Sequence, residues 1–204
     1  PSIKKPFPES VCTSVNHVVC HGIPSENKIL QNGDIVNVDI TVVLDGWHGD
    51  SSRMYAPGRI NNKIESLLRT TYECLLLGIK NAEPGKHLGD IGYAIQKHAE
   101  SKNFSVVRDF CGHGIGEKFH TPPSVLHYGN SGEGIELRPG MFFTIEPMIN
   151  IGDWRIKHLK EKDGSNAWPA VTKDRSLSAQ FEHTIGITEN GNEIFTLSQN
   201  NTDF

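Results

Sequence analysis

Ile35-Val36-Asn37-Val38-Asp39-Ile40-Thr41-Val42-Val43-Leu44-Asp45-Gly46-Trp47-His48-Gly49-Asp50 reads as a strand, a tight turn and a returning strand. One face of Ile35–Leu44 carries Val36, Val38, Ile40, Val42 and Leu44, while Asn37, Asp39 and Thr41 alternate onto the other. Such period-two patterning describes a sheet packed mainly on one side. Asp45-Gly46 is a two-residue hairpin signal. With those two residues at the turn, Leu44 faces Trp47 and Thr41 faces Asp50. Asp50 then shares a sheet face with Asp39, on a diagonal of about 7 Å. A one-residue slip would send Asp50 to the opposite face, so the geometry hangs on the turn.

Two later stretches repeat the theme. Met141–Asn150 places Phe143 and Ile145 on one face and Thr144 and Glu146 on the other. Gln180–Thr188 sets Phe181, Ile185 and Ile187 against Gln180, Glu182 and Thr184. Each strand thus offers an acid to its polar side. Between the first and second strands lie two amphipathic helices. Ile64, Leu67, Leu68, Leu75 and Ile79 mark one, with Asn61-Asn62 as its cap and Pro84-Gly85 as its stop. Leu88, Ile91, Ile95, His98 and Ala99 mark the other, which ends near Asn103. Sheet with helices on one side is an α+β class. The polar stretch Gly152–Asp174, with Lys157, Lys160 and Lys162, reads as a surface loop.

A weak internal repeat runs through this plan. His21-Gly22-Ile23 precedes Leu30, Gly33 and Asp39, and His113-Gly114-Ile115 precedes Leu137, Gly140 and Glu146. Each acid stands six residues after its glycine, which suggests two related halves about a pseudo-twofold axis.

The 204 residues suit a single domain, 1–204, large enough for one core. A net charge of -4 implies no broad attraction to nucleic acid or anionic membrane. No apolar run approaches a membrane span, and no apolar segment follows Lys4-Lys5 as a signal peptide would require. Cys12, Cys20, Cys74 and Cys111 form no C-x-x-C pair and read as free thiols of a reducing compartment.

Asp39 and Asp50 alone fit a solvated acidic face as well as an ion site. Glu146 and Glu182, on polar faces of otherwise apolar strands, favour the ion site, because buried carboxylates need a counter-charge. Four carboxylates with a histidine suit a pair of divalent ions such as Mn, Fe, Co or Zn, and no cysteine joins them as a structural zinc site would need. His113, His120 and His21 each stand open as ligand or structural residue. His98, His87 and His183 read as structural, and His17, His48, His127 and His158 carry no assignment.

These motifs resemble the type I methionine aminopeptidases, with their pita-bread fold. The resemblance spans about Phe7 to Thr196. It is carried by Cys20-His21-Gly22-Ile23-Pro24, Gly33-Asp34-Ile35-Val36-Asn37-Val38-Asp39, Gly46-Trp47-His48-Gly49-Asp50, the glycine cluster around His113, Phe143-Thr144-Ile145-Glu146-Pro147 and Ser178-Ala179-Gln180-Phe181-Glu182-His183-Thr184. It implies a curved antiparallel sheet, helices on one face and a dinuclear metal site on the other. Residue by residue, it makes Asp39 the ligand of one metal, Asp50 and Glu182 the bridging carboxylates, and His113 and Glu146 ligands of the second. A metal-bridging hydroxide would then attack, with Glu146 passing a proton to the departing amine. His120 would stabilise the oxyanion, and His21 would stand near the substrate amine. Phe7, Cys12, Phe119 and Trp168 would line the methionine pocket, which suits a flexible thioether.

The implied reaction removes N-terminal methionine from nascent chains when the next residue is small. The implied setting is a cytoplasmic monomer in transient contact with ribosomes, or an organelle if a targeting segment precedes the sequence. Members of the family carry further, partly helical residues ahead of the pocket motif, and here only six residues precede Phe7, with Ile3-Lys4-Lys5-Pro6 in place of a Gly-Tyr pair. An enzyme of the same fold acting on X-Pro peptides is the alternative, as is a binding scaffold for nascent chains.

Overall fold

A computed structural model describes residues 5–198. Ile3 and Lys4 of the altered N-terminal motif lie outside the described residues. The chain begins with β1 (Cys12–Val15), β2 (Val18–Cys20), β3 (Val36–Leu44), β4 (Trp47–Tyr55), α1 (Asn62–Asn81) and α2 (Leu88–Ser101). It continues through β5 (Ser105–Val106), β6 (Gly112–Gly114), β7 (Thr121–Val125), β8 (Phe142–Ile145) and β9 (Met148–Asn150). It closes with β10 (Ile156–Lys160), β11 (Asn166–Thr172), β12 (Ser178–Gln180), β13 (His183–Thr188) and β14 (Gly191–Ile194). Four antiparallel sheets result, in the orders β1-β3-β4, β10-β11-β2, β12-β9-β5 and β14-β13-β8-β6-β7.

The β3–β4 hairpin has the expected register, Leu44 opposite Trp47 and Thr41 opposite Asp50. Asp45 (φ 51°) and Gly46 (φ 86°) both take the left-handed conformation, which matches the twist of the strands they join. The two halves echo each other in backbone as well as sequence, since Gly33 (φ 94°) and Gly140 (φ 89°) share one conformation six residues ahead of Asp39 and Glu146.

Helix α1 is capped by Asn61, whose side-chain oxygen accepts the Ile64 N–H at 3.0 Å. At the start of α2, the Asp90 carboxylate accepts the His87 N–H at 2.8 Å. Their apolar stripes pack on the second half, where Ile64, Leu67, Leu75, Ile91 and Ile95 meet Phe143, Ile145 and Ile185 in one core. Full burial of each such side chain is worth about 1.5–3 kcal/mol. His98 departs from the apolar stripe, and its Nε2 instead meets Glu73 on α1 at 2.7 Å.

Three expectations need correcting. The apolar face of β3 is not a core face along its length: Val36 is buried, but Ile40, Val42 and Leu44 are 44%, 58% and 75% exposed. Both helices pack mainly on the second half, so among the described residues the tip of this face is left largely open, and the polar face turns inward. The two acid-bearing strands are also each broken. Glu146-Pro147 separates β8 from β9, and Phe181-Glu182 separates β12 from β13. Pro147 has no N–H for a ladder, which suits the first break. Finally, Gly152–Asp174 holds the β10–β11 hairpin instead of a plain loop. Its lysines hid an inner side of Ala167, Ala170 and Val171, which are buried where β11 pairs with β2.

Candidate metal centre and substrate pocket

Asp39 and Asp50 project from the inner face of the hairpin on the expected diagonal. The Thr41 hydroxyl donates to Asp50 Oδ1 at 2.8 Å. Across the molecule, Thr184 Oγ1 accepts the Asp50 N–H at 2.9 Å and donates to the Asp50 carbonyl at 2.8 Å. A backbone bridge joins Ser52 to Glu182, with the Glu182 N–H donating to the Ser52 carbonyl at 3.0 Å. That seam explains why Glu182, remote in sequence, stands beside the hairpin acids.

Thr144, the strand neighbour of Thr184, serves the other side in the same way. Its hydroxyl accepts the His113 N–H at 3.0 Å and donates to Glu146 Oε1 at 2.9 Å. Gln180 Nε2 donates to Glu146 Oε2 at 3.1 Å. His113 Nε2 lies 3.7 Å from Asp50 Oδ2 and 3.8 Å from Glu146 Oε1. Donor atoms of Asp50, His113 and Glu182 all fall within 4.8 Å of one another, a grouping that could hold a metal ion.

Electrostatics point the same way. Burial, then the neighbouring Asp50, pushes the Asp39 carboxyl up to about 7. Burial first and fellow carboxylates second hold Glu146 and Glu182 well above the usual range. Among the described residues no lysine or arginine lines the cavity, and the buried Glu182 Oε1 has no hydrogen-bond partner there. Oxygen donors with one imidazole are a set that hard or borderline divalent ions satisfy, and so the residues fit such ions.

All five expected ligands, Asp39, Asp50, His113, Glu146 and Glu182, line one cavity of about 530 Å³. Phe7, Cys12, His21, Phe119, His120 and Trp168 line it too. Edge-to-face contacts link Phe7 to Trp168 at 5.6 Å, Trp168 to His21 at 5.5 Å and His21 to Phe110 at 5.4 Å. The Trp168 indole N–H donates to the Lys5 carbonyl at 2.9 Å, which ties the β11 wall to the N-terminal segment. Burial, then Asp39 and Asp50, pushes the Cys12 thiol up to about 12, so it stays neutral. Burial, then His158 and His120, lowers His21 to about 4. His120 is lowered by burial and by His113, whose ring centroid is 4.3 Å away.

Sequence reasoning missed Phe110, Cys111, Gln180 and the three threonines as parts of this cavity or its supports. Gln180, Thr41, Thr144 and Thr184 did share polar faces with the acids, and that was their one available signal. Phe110 and Cys111 gave none beyond their nearness to His113.

Two related antiparallel halves meeting at a carboxylate-rich centre define a metallopeptidase of the pita-bread class. The chain belongs to Metallopeptidase family M24, whose sequence pattern matches residues 2–189. It is similar to a methionine aminopeptidase of Rickettsia prowazekii (strain Madrid E), 58% identical over 200 residues that make up 98% of this chain and 75% of that relative. The crystal structure of methionine aminopeptidase from Rickettsia prowazekii matches with a TM-score of 0.89 at 59% identity, over 94% of this chain and 75% of that one. A prolidase from Pyrococcus furiosus has a TM-score of 0.73 at 21% identity, over 94% of this chain and 50% of that one, and shares the fold. Among the described residues no helix is long and apolar enough to cross a membrane.

Proposed function

We propose that this chain, as one catalytic domain, removes N-terminal methionine from nascent polypeptides whose second residue is small. The observation that supports the reading is the shared cavity, which is lined by the five proposed ligands together with Phe7, Cys12, Phe110, Phe119 and Trp168. An apolar, partly aromatic wall with a neutral thiol suits a thioether side chain. Asp39, Asp50, His113, Glu146 and Glu182 would hold two divalent ions drawn from Mn, Fe, Co or Zn, according to availability. When bound, such ions supply Lewis acidity and make a water acidic enough to react near neutral pH.

The chain's own residues do the rest. His21 and His120, kept neutral by burial, can each donate one N–H to the substrate. In this reading His120, beside His113, would steady the developing oxyanion, and His21, edge-on to Trp168, would stand near the substrate amine. Glu146, with its proton affinity raised by burial and by Asp39, would carry a proton to the leaving amine in this reading. With nascent chains as substrates, the proposed place of action is the cytoplasm, as a monomer in passing contact with ribosomes.

The test is hydrolysis of a Met-Gly peptide and of an X-Pro peptide by metal-stripped protein supplied with Mn or Co. Metal-dependent release of methionine from the first alone is expected. Cleavage of the X-Pro peptide alone would reassign the substrate. Metal uptake with neither cleavage would leave a binding scaffold as the better reading.

A further inference from the structure

His127 follows β7 and is fully buried, though it contributes nothing to the cavity wall. Its ring Nε2 accepts the backbone N–H of Glu146 at 3.1 Å. A backbone amide can only donate, so Nε2 carries no proton and Nδ1 carries the ring's one hydrogen. That Nδ1 has no partner among the described residues. A leucine or phenylalanine would fill the same space without an orphaned donor. What histidine supplies, and they cannot, is an acceptor at this point.

The backbone needs one here. Pairing of β8 with β13 ends at Ile145 opposite His183, and pairing of β9 with β12 resumes at Met148 opposite Gln180. Glu146 falls in the gap, and its N–H has no strand to meet. Thr144 and Gln180 hold the two carboxylate oxygens, whereas His127 holds the main chain that carries them.

We propose that His127 is a positioning residue that fixes the Glu146 backbone, and through it the Glu146 carboxylate, in the geometry needed to hold a metal ion. The inference rests on the proposed ligand role of Glu146. Burial lowers the ring to about 3, so it remains a neutral acceptor at working pH.

Two variants that differ by one methylene isolate the acceptor. In His127→Gln the amide oxygen reaches about as far as Nε2, and in His127→Asn it stops near Nδ1. Calorimetric titration of Mn²⁺ into metal-stripped protein should show one ion held about 10- to 100-fold more weakly in the Asn variant. The Gln variant should stay within about threefold of wild type on the same scale. For Met-Gly hydrolysis, kcat should fall in the Asn variant with KM near wild type. In unaltered protein without metal, nuclear magnetic resonance should detect a ¹⁵N–¹⁵N coupling across the Glu146 N–H···Nε2 bond, whatever the variants do. Equal Mn²⁺ affinity in the two variants, a lower melting temperature with unchanged affinity, or absence of the coupling would each overturn the proposal. Failure of wild type to bind two ions, or retention of both by Glu146→Ala, would instead sink the ligand assignment beneath it.

Discussion

The two halves of the molecule carry their acids alike and are supported differently. Glu146 and Glu182 adjoin strands whose other side is buried under α1 and α2, with Phe143, Ile145 and Ile185 fully enclosed. Asp39 and Asp50 project from a hairpin whose other side is open, with Leu44 and Trp47 exposed at its tip. Leu137, one step of the repeat, is fully buried, while its counterpart Leu30 is 38% exposed. The hairpin acids are therefore held from in front, by Thr184 and by the Ser52–Glu182 seam, and by the turn that sets their register. Precise placement of a carboxylate does not require a core behind it. It requires a fixed register and a partner across the cleft.

The sharpest way to break the pairing of the halves is Glu182→Ala at the seam. Mn²⁺-dependent release of methionine should fall below detection, while the melting temperature of metal-free protein holds or rises because a repelling buried acid is gone. Retained activity would remove Glu182 from the ligands.

Next in size is the contrast between the backs of the two halves. Ile145→Ala should cost about 2–5 kcal/mol in urea unfolding, since it opens a cavity in an enclosed core. Val42→Thr, on the open face, should stay within about 0.5 kcal/mol. Equal losses would mean that something covers the hairpin in solution.

A smaller effect concerns pH. Burial and the neighbouring Asp50 push Asp39 to about 7 in the folded chain, well above the ordinary carboxylate range. The folded form therefore keeps a proton that the unfolded form loses as pH climbs above about 4. The associated stability is full below that pH and is lost as pH rises through 7, so the melting temperature of metal-free protein, taken relative to an Asp39→Asn variant, should decline across this window. Saturating Mn²⁺ should flatten the decline, because it binds the ionised form of the fold. A difference in melting temperature between metal-free wild type and Asp39→Asn that stays constant from pH 4.5 to 7.5 would contradict the burial of this acid; the buried His21 and His127 add the opposite slope to both proteins alike.

Smallest is Thr184→Val, which keeps the shape and removes the hydroxyl that spans the halves. A loss of about 1–3 kcal/mol is expected from the unpaired Asp50 amide. Metal affinity should also weaken if the hairpin is truly held from in front.

Much of this arrangement is legible in the sequence. Asp45-Gly46 fixes the hairpin register, and the helical stripes with Asn61 and Pro84-Gly85 bound α1 closely. The faces of Thr144 and Gln180 follow from alternation, whereas Glu146 and Glu182 stand in breaks between strands that alternation does not foresee. The β10–β11 hairpin escaped notice because the lysines of Gly152–Asp174 masked a short run of small apolar residues. The exposed face of β3 escaped because alternation says which side is apolar and not whether anything covers it. His127 escaped for a different reason: its bond to Glu146 links residues 19 apart through a loop with no periodicity. Trp168 was placed in the pocket by family resemblance, since nothing in its local sequence points there.

Whether the two halves truly share one metal centre is best decided by counting bound ions. Metal-stripped wild type, Asp39→Ala from the open half and Glu146→Ala from the enclosed half would each be dialysed against Mn²⁺ and analysed by plasma mass spectrometry. Two ions per chain are expected in wild type and at most one in either variant. Two ions retained in both variants would mean that these carboxylates, drawn together from both halves, hold no metal.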